Sequence, residues 1–294
     1  MIPLSIIIVS FNTKEIIKKC LLSLKKNFTK YSIGYEVIVV DNNSRDGTVE
    51  YLLDLEKHWD NLHVILSKKN LGYGKGNNLG LTKSKGRYVL YLNSDAIVSD
   101  IDFHDLINLM KIDKNIGALT VKVILPTGEI DPASHRGFPT IWRSFTYFSG
   151  LEKAFLNVPV LNKLFGGYHL VNLDRNNIHE IDVPTGAFLF TRRDIINKFG
   201  GFDKDYFTYG EDIEMAFQIN KLGYKIIYYP LWKVLHLKSV SGLKKIDLNI
   251  RKKASDSFYD SMKIFYKKHY AENHNWLTNE FIYLAIDAKK HFRK

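Results

Sequence analysis

The stretch Tyr88-Val89-Leu90-Tyr91-Leu92-Asn93-Ser94-Asp95 is five apolar or aromatic residues running straight into three polar ones. Five such residues are short for a helix and suit a strand covered on both faces, with Asn93-Ser94-Asp95 at its carboxyl end. The same pattern stands three times upstream: Leu4–Val9 leads to Asn12, Val37–Val40 to Asp41, and Leu62–Leu66 to Asn70. Helix-period segments lie between these runs. One carries Ile17, Cys20, Leu21 and Leu24 on a stripe, one covers about Thr48–His58, and one is opened by a glycine-rich loop over Asn70–Asn78. Asn12, with Glu15 three residues on, is placed to cap the first of them. A further strand is expected at Ile116–Leu125. Strand–helix alternation with short connections predicts an α/β fold, a mostly parallel central sheet with helices on both faces. Ligands of such sheets bind beyond the carboxyl ends of the strands, where Asn12, Asp41, Asn70 and Asp95 collect.

Past residue 135 the rhythm breaks. Residues 136–180 are rich in aromatics and show no period, which suits a lid or an insertion shaped for a substrate as well as a set of core helices. Regularity returns with a strand over Ile181–Phe190, helices over Asp194–Phe199 and Glu211–Leu222, and a strand at Lys225–Tyr229 with His236 shortly after it. Two amphipathic helices are expected to follow, one with Phe258, Met262, Phe265 and Tyr266 on its stripe, the other with Leu277, Phe281, Leu284 and Ala288.

The 294 residues are 45% hydrophobic and 25% charged, which excludes a disordered or fibrous chain. A single cysteine, Cys20, excludes a disulfide scaffold or a Cys-rich zinc module. No apolar run approaches the roughly 20 residues that cross a bilayer. Leu4–Val9, with no basic segment before it, reads as a strand and not a signal peptide, so a cytoplasmic protein is expected. The net charge of +11 is uneven: residues 221–294 hold 16 basic and 6 acidic side chains, whereas residues 1–220 are close to neutral. Set among Phe258, Tyr259, Phe265, Tyr266, Trp276 and Phe281, such a block suits an anionic membrane surface. A solvated face and phosphate binding are the alternatives, but no nucleic-acid-binding motif is present.

Several residues could carry chemistry. Asp41, directly after a strand, could bond a ribose hydroxyl or a base N–H, or simply form a turn. Gly72, Gly74 and Gly76 allow backbone to approach a ligand, although their spacing fits neither the dinucleotide fingerprint nor the P-loop. Asp95, at a strand tip, could hold a divalent cation against a diphosphate. Glu211-Asp212-Ile213-Glu214 puts three acids at a helix start, where they suit the helix dipole and where one could take a proton from an alcohol. His236 sits in an apolar stretch, as a core histidine would. The pairs Asp100/Asp102 and Asp203/Asp205 read as a helix cap and a loop closure.

In order along the chain stand SIIIVSFN (Ser5–Asn12), DNNS (Asp41–Ser44), NLGYGKGNNLG (Asn70–Gly80), YLNSD (Tyr91–Asp95), TGAF (Thr185–Phe188), GGFD (Gly200–Asp203) and YGED (Tyr209–Asp212). Together they resemble the family 2 inverting glycosyltransferases of the GT-A fold, particularly the rhamnosyltransferase-like members that build bacterial cell-surface polysaccharides. The resemblance covers about residues 3–240 and leaves out 136–180 and the last 50 or so. It implies a catalytic domain over 1–240, with a nucleotide-binding half to about 125 and an acceptor half from 126, and a basic helical extension over 241–294. By resemblance, Asp41 bonds a pyrimidine base, with Ser10, Phe11 and Asn12 lining its pocket. Asn70, Gly72, Asn77, Asn93 and Ser94 lie near the nucleotide and donor sugar. Asp95 matches the last acid of the family's Asp-x-Asp metal motif, with Asn93 in place of the first acid. His236 would complete a site for Mg²⁺ or Mn²⁺. Asp212 matches the catalytic base, with Glu211 a supporting acid or acceptor contact and Gly186 on the acceptor side.

The implied reaction moves a sugar from a dTDP- or UDP-linked donor, dTDP-rhamnose among them, to a saccharide or polyprenyl-diphosphate-linked acceptor. The implied location is the inner face of the cell membrane, with the protein held peripherally. An inert saccharide- or lipid-binding module of the same fold is the alternative; a nucleotidyltransferase lacks support because its early glycine-rich loop is missing.

Overall fold

The computed structural model describes residues 2–238 and 248–292. Strands β1 (Leu4–Ser10), β2 (Tyr35–Asp41), β3 (Leu62–Leu66) and β4 (Tyr88–Asn93) lie parallel, joined through helices α1 (Lys14–Lys30), α2 (Thr48–Glu56) and α3 (Tyr73–Lys83). After them come β5 (Ala96–Ile97), α4 (Phe103–Ile112) and β6 (Ile116–Ile124). The aperiodic segment folds as three short helices, α5 (Ile141–Phe148), α6 (Leu151–Ala154) and α7 (Pro159–Phe165). The chain then forms β7 (His179–Ile181), β8 (Phe188–Arg192), α8 (Arg193–Phe199), α9 (Glu211–Lys221), β9 (Lys225–His236), α10 (Leu248–His269) and α11 (Trp276–Phe292). Strand order is β3-β2-β1-β4-β8-β6-β9-β5, with β7 also on β9. β1 to β4, β6 and β9 run one way; β8, β5 and β7 run against them.

Side chains of the strands alternate between two cores, as a sheet covered on both faces requires. Ile6, Ile8, Leu90, Leu92, Phe188 and Phe190 face one side with α1 and α4. Ile7, Val89, Tyr91 and Leu189 face the other, with α8 and α9. The pairing Ser10↔Asp41 and Val9↔Asn93 sets the carboxyl ends of β2, β1 and β4 side by side.

Four local readings are corrected. Asn12 does not cap α1: the cap residue is Thr13, and Asn12, at φ 52°, accepts a bond from the Arg45 amide (2.8 Å) instead. The strand expected over 181–190 is two strands, interrupted where the Ala187 amide bonds Thr185 Oγ1 (3.2 Å) and turns the chain. The strand expected to stop at Tyr229 continues to His236 through a bulge: the register with β6 jumps from Val121↔Tyr229 to Lys122↔Lys233, taking up Pro230, which has no N–H to give. On α11 the stripe of Leu277, Phe281, Leu284 and Ala288 faces outward, while Ile286 is buried and Tyr283 packs edge-on against Tyr266 of α10 (5.7 Å). The expected helix cap at Asp102 is present, accepting from the His104 amide at 2.9 Å, and Asp203 closes its loop onto the Asp205 amide. The domain boundary expected at 240/241 lies outside the described residues.

Helix α3 sits hard against the sheet because Gly80 has no side chain. A Cβ there would stand 2.5 Å from Cγ2 of Ile7. Gly80→Ala is therefore expected to cost about 1–3 kcal/mol of folding stability through overpacking, measured by urea denaturation. An unchanged midpoint would mean that α3 does not press on β1.

Candidate active site

β4 ends at Asn93, and the chain turns at once so that Asp95 stands beside the end of β9. Asp95 Oδ1 and His236 Nε2 are 3.2 Å apart, and Asn93 Nδ2 is 3.5 Å from the same nitrogen. The other ring nitrogen, Nδ1, bonds Asp131 Oδ2 at 2.7 Å, and Lys238 Nζ bonds Asp131 Oδ1 at 2.7 Å. Asp131 has no solvent exposure. Burial by itself would raise its carboxyl pKa, but the bonds from His236 and Lys238 outweigh it and hold the group well below the usual carboxylate range. For His236 burial opposes the charge, yet the carboxylates of Asp131 and Asp95 on its two nitrogens carry its pKa up to about 9.

This donor set fits a divalent cation. A carboxylate and an imidazole nitrogen converge, and the imidazole is oriented from behind by a second carboxylate, a common arrangement for a histidine ligand. Among the described residues no group of three or more His, Cys, Asp or Glu side chains is placed to hold an ion by itself.

The ends of β1 and β2 form the neighbouring part of the rim. Asp41 is buried and accepts from Ser44 through both the amide (2.8 Å) and the hydroxyl (2.6 Å), while the Ser44 hydroxyl oxygen accepts from the Asn12 amide (2.8 Å). Ser10 is buried against Thr13, and Phe11 is exposed. The glycine-rich loop is fixed by Asn70, whose Oδ1 accepts from the Gly72 amide (2.9 Å), and by Asn42, whose Nδ2 donates to the Gly72 carbonyl (3.0 Å). Gly72 has φ 79°, and any side chain there would collide with the carbonyl of Phe207. Asn77 is buried, its Nδ2 donating to the Tyr73 carbonyl while its Oδ1 has no partner; Asn42 Oδ1 is likewise unpaired. Two buried amide oxygens without partners, flanking this loop, are what a bound polar group would satisfy.

Across the rim, α9 starts at Glu211. Asp212 Oδ2 is 2.6 Å from Arg136 Nη2, and the same nitrogen donates to the Pro184 carbonyl (2.9 Å). Glu211 is buried, its Oε2 unpaired; burial, then the neighbouring Asp212, raises its pKa to about 8. Tyr73 joins the two sides: its hydroxyl donates to the Gly186 carbonyl (2.8 Å), and burial followed by the charges of Glu211 and Asp212 pushes its own pKa well up. The Asn93 amide reaches the Ala187 carbonyl (3.4 Å). Segment 184–187 thus touches both groups, through the Asn93 amide on one side and through Arg136, the partner of Asp212, on the other.

Sequence reading missed Asp131, Arg136, Lys238 and Tyr73. Asp131 precedes Pro132 and reads as the cap it also is, accepting from the Ala133 amide; Arg136 lies in a segment with no period. Nothing local marks either as a partner of residues some 105 and 76 positions away.

A carboxyl group whose pKa is higher folded than unfolded favours the fold fully only below its unfolded value, and that contribution is lost as pH rises through the folded pKa. Glu211→Gln removes the loss. The variant is expected to gain melting temperature relative to the unaltered chain between pH 5 and pH 8.5, and a pH-independent offset would contradict the raised pKa.

The sequence profile described as Glycosyl transferase family 2 matches residues 5–170, and that of Glycosyl transferase family group 2 matches residues 88–263. The first runs through 136–170 and the second through all of the 136–180 segment that the motifs had left out, and the second reaches α10. The chain is 25% identical over 216 residues to the N-acetylglucosaminyl-diphospho-decaprenol L-rhamnosyltransferase of Mycobacterium tuberculosis, covering 70% of this chain and 67% of that one. It is 25% identical over 243 residues to the rhamnosyltransferase WbbL of Escherichia coli, covering 79% and 82%. Among solved structures, Staphylococcus aureus TarS 1-349 superposes with a TM-score of 0.57 at 17% identity, covering 99% of this chain and 72% of that one. GalNAc-T7 with UDP, GalNAc and Mn²⁺ gives 0.59 at 16%, covering 90% and 50%. The chain spans 44% of the longer TarS structure. With a mostly parallel sheet, a rim of carboxylates at its strand ends and a family profile matching more than half its length, this chain belongs to glycosyl transferase family 2.

Proposed function

We propose that this glycosyltransferase moves a sugar, rhamnose from dTDP-rhamnose or a sugar from a UDP-linked donor, onto a hydroxyl of a saccharide or polyprenyl-diphosphate-linked acceptor, with inversion. What supports this most is that Asp95 with His236, and Asp212 with Arg136, are held by one short segment, which supplies Asp131 to His236 and Arg136 to Asp212. Relatives named for rhamnosyl transfer to a decaprenol-linked sugar, and fold neighbours holding UDP, favour the donor and acceptor classes. In this reading residues 1–240 form the catalytic unit, 241–294 an extension of it, and the enzyme works at the inner membrane face.

The nucleotide base lies against Asp41, with Ser10, Phe11 and Asn12 beside it. Asn70, Gly72, Asn77 and Ser94 border the donor sugar, and the unpaired Asn77 Oδ1 accepts from one of its hydroxyls. Asp95 and His236, oriented by Asp131, hold the divalent cation, whose chemistry is to offset charge on the diphosphate. Asp212 accepts the acceptor hydroxyl's proton on the face opposite the leaving group, giving inversion by single displacement. Arg136 on Oδ2 and the Ile213 amide on Oδ1 fix the carboxylate plane, and the second lone pair of an oxygen takes the hydroxyl's proton. Glu211 donates a hydrogen bond to the acceptor near Gly186.

Asp212→Asn is expected to lower transfer about 10²–10⁴-fold while leaving the rise in melting temperature caused by dTDP or UDP with Mn²⁺ unchanged. His236→Ala is expected to abolish the Mn²⁺-dependent part of that rise, as EDTA does. Full transfer by Asp212→Asn would overturn the assignment of the base; an unaltered Mn²⁺ response in His236→Ala would overturn that of the cation site.

A further inference from the structure

Two parts of the chain present exposed apolar side chains. On α11, Leu277, Phe281 and Leu284 are 61%, 72% and 65% exposed and share one side. The opposite side of the helix is the one that docks, through Ile286, Tyr283 and the Asn279 bond to the Tyr266 hydroxyl (2.7 Å). In the 141–165 insertion Val160 is 78% exposed, and Phe145 and Leu164 are about half exposed. The two parts meet: Lys289, in the last turn of α11, donates to the Phe148 carbonyl at the end of α5 (3.1 Å) and lies over its ring. Contiguous apolar exposure on this scale marks an interaction surface.

Charge selects the partner. Between residues 141 and 165 the acid is Glu152, buried against His169, while Lys153 and Lys163 are exposed. On α11, Asp287 is ion-paired with Lys263 of α10, and Glu280 stands among the apolar residues. A second copy of the chain would set lysines against lysines. A bilayer rich in acidic lipid offers hydrocarbon to the apolar residues and phosphates to the lysines around them, the pattern of an interfacial amphipathic helix. No described helix is long and apolar enough to cross a membrane, so the face would lie on the bilayer.

We propose that the outward face of α11, together with the 141–165 insertion, is a docking surface for an anionic lipid bilayer. Phe145, Val160, Leu164, Leu277, Phe281 and Leu284 enter the headgroup boundary, and Lys153 and Lys163 meet the phosphates. The docking draws its sense from the lipid-linked acceptor proposed above and narrows how the enzyme meets it.

The full chain is tested by flotation with vesicles of phosphatidylglycerol and phosphatidylethanolamine, against phosphatidylcholine alone. Binding is expected to the acidic vesicles and to fall at high salt. The triple variant Leu277→Ser, Phe281→Ser, Leu284→Ser and the double variant Lys153→Glu, Lys163→Glu are each expected to lose at least about tenfold of it, with unaltered circular dichroism and nucleotide-induced thermal shift. Glu280→Gln is expected to tighten it. Equal flotation of the triple variant and the unaltered chain, or absence of flotation with a dimer that the triple variant dissolves, would overturn the proposal. Flotation lost as expected, without transfer to any lipid-linked acceptor, would leave the docking surface standing and overturn the acceptor reading instead.

Discussion

Carboxylates buried together must be neutralised, and the site is organised around how this chain does so. Asp131 and Asp95 share the imidazole of His236, with Lys238 also on Asp131; Asp212 takes the guanidinium of Arg136; Glu211, given no cation of its own, has its pKa raised. Breaking such a buried pair by removing one partner typically costs about 3–5 kcal/mol, because the survivor stays charged in a poor dielectric. Residues 131–136 supply both the carboxylate behind His236 and the guanidinium on Asp212. One short segment after β6 therefore fixes the two ends of the rim relative to each other.

The same helix that starts with the candidate base is braced from the far end of the chain. Glu214, one turn into α9, accepts from the Tyr206 hydroxyl (3.0 Å) and Gln218 (2.7 Å) and pairs with His269 of α10 at 2.7 Å. Phe217 lies 3.9 Å from the His269 ring, and Lys268 bridges Asp203 and Asp205 in the loop that leads to α9. The C-terminal segment thus joins the wall that holds Glu211 and Asp212 in place, and the family profile extending to residue 263 agrees with this. It also links the outward face of α11, through α10, to the helix that begins with Glu211 and Asp212.

Much of the site was legible because its residues sit at the ends of strands that the sequence declares. Asp41, Asn93 and Asp95 follow apolar runs directly, so their place at the sheet's carboxyl edge follows from strand direction and register alone. Asp212 was legible from a helix start rich in acid. What failed locally failed for a local reason: Asn12 is a good capping residue, but its backbone is drawn into the loop with Ser44 and Arg45, and Thr13 takes the cap position. The stripe on α11 has helical period, and period says that a helix has an apolar side without saying which neighbour, if any, will cover it.

Hydrophobic spacing, strand-end polar residues and the order of motifs determined the sheet, its covering helices, the family and the edge where chemistry happens, since each is a property of residues close together in the chain. Only the tertiary structure decided that Asp131 stands behind His236, that Arg136 holds Asp212, that Glu211 is dry enough for its pKa to rise, and that the last helix turns its apolar side outward. These depend on which distant segments come to lie against one another, and on the charge and solvent each side chain then meets, neither of which is written in any local pattern of residues.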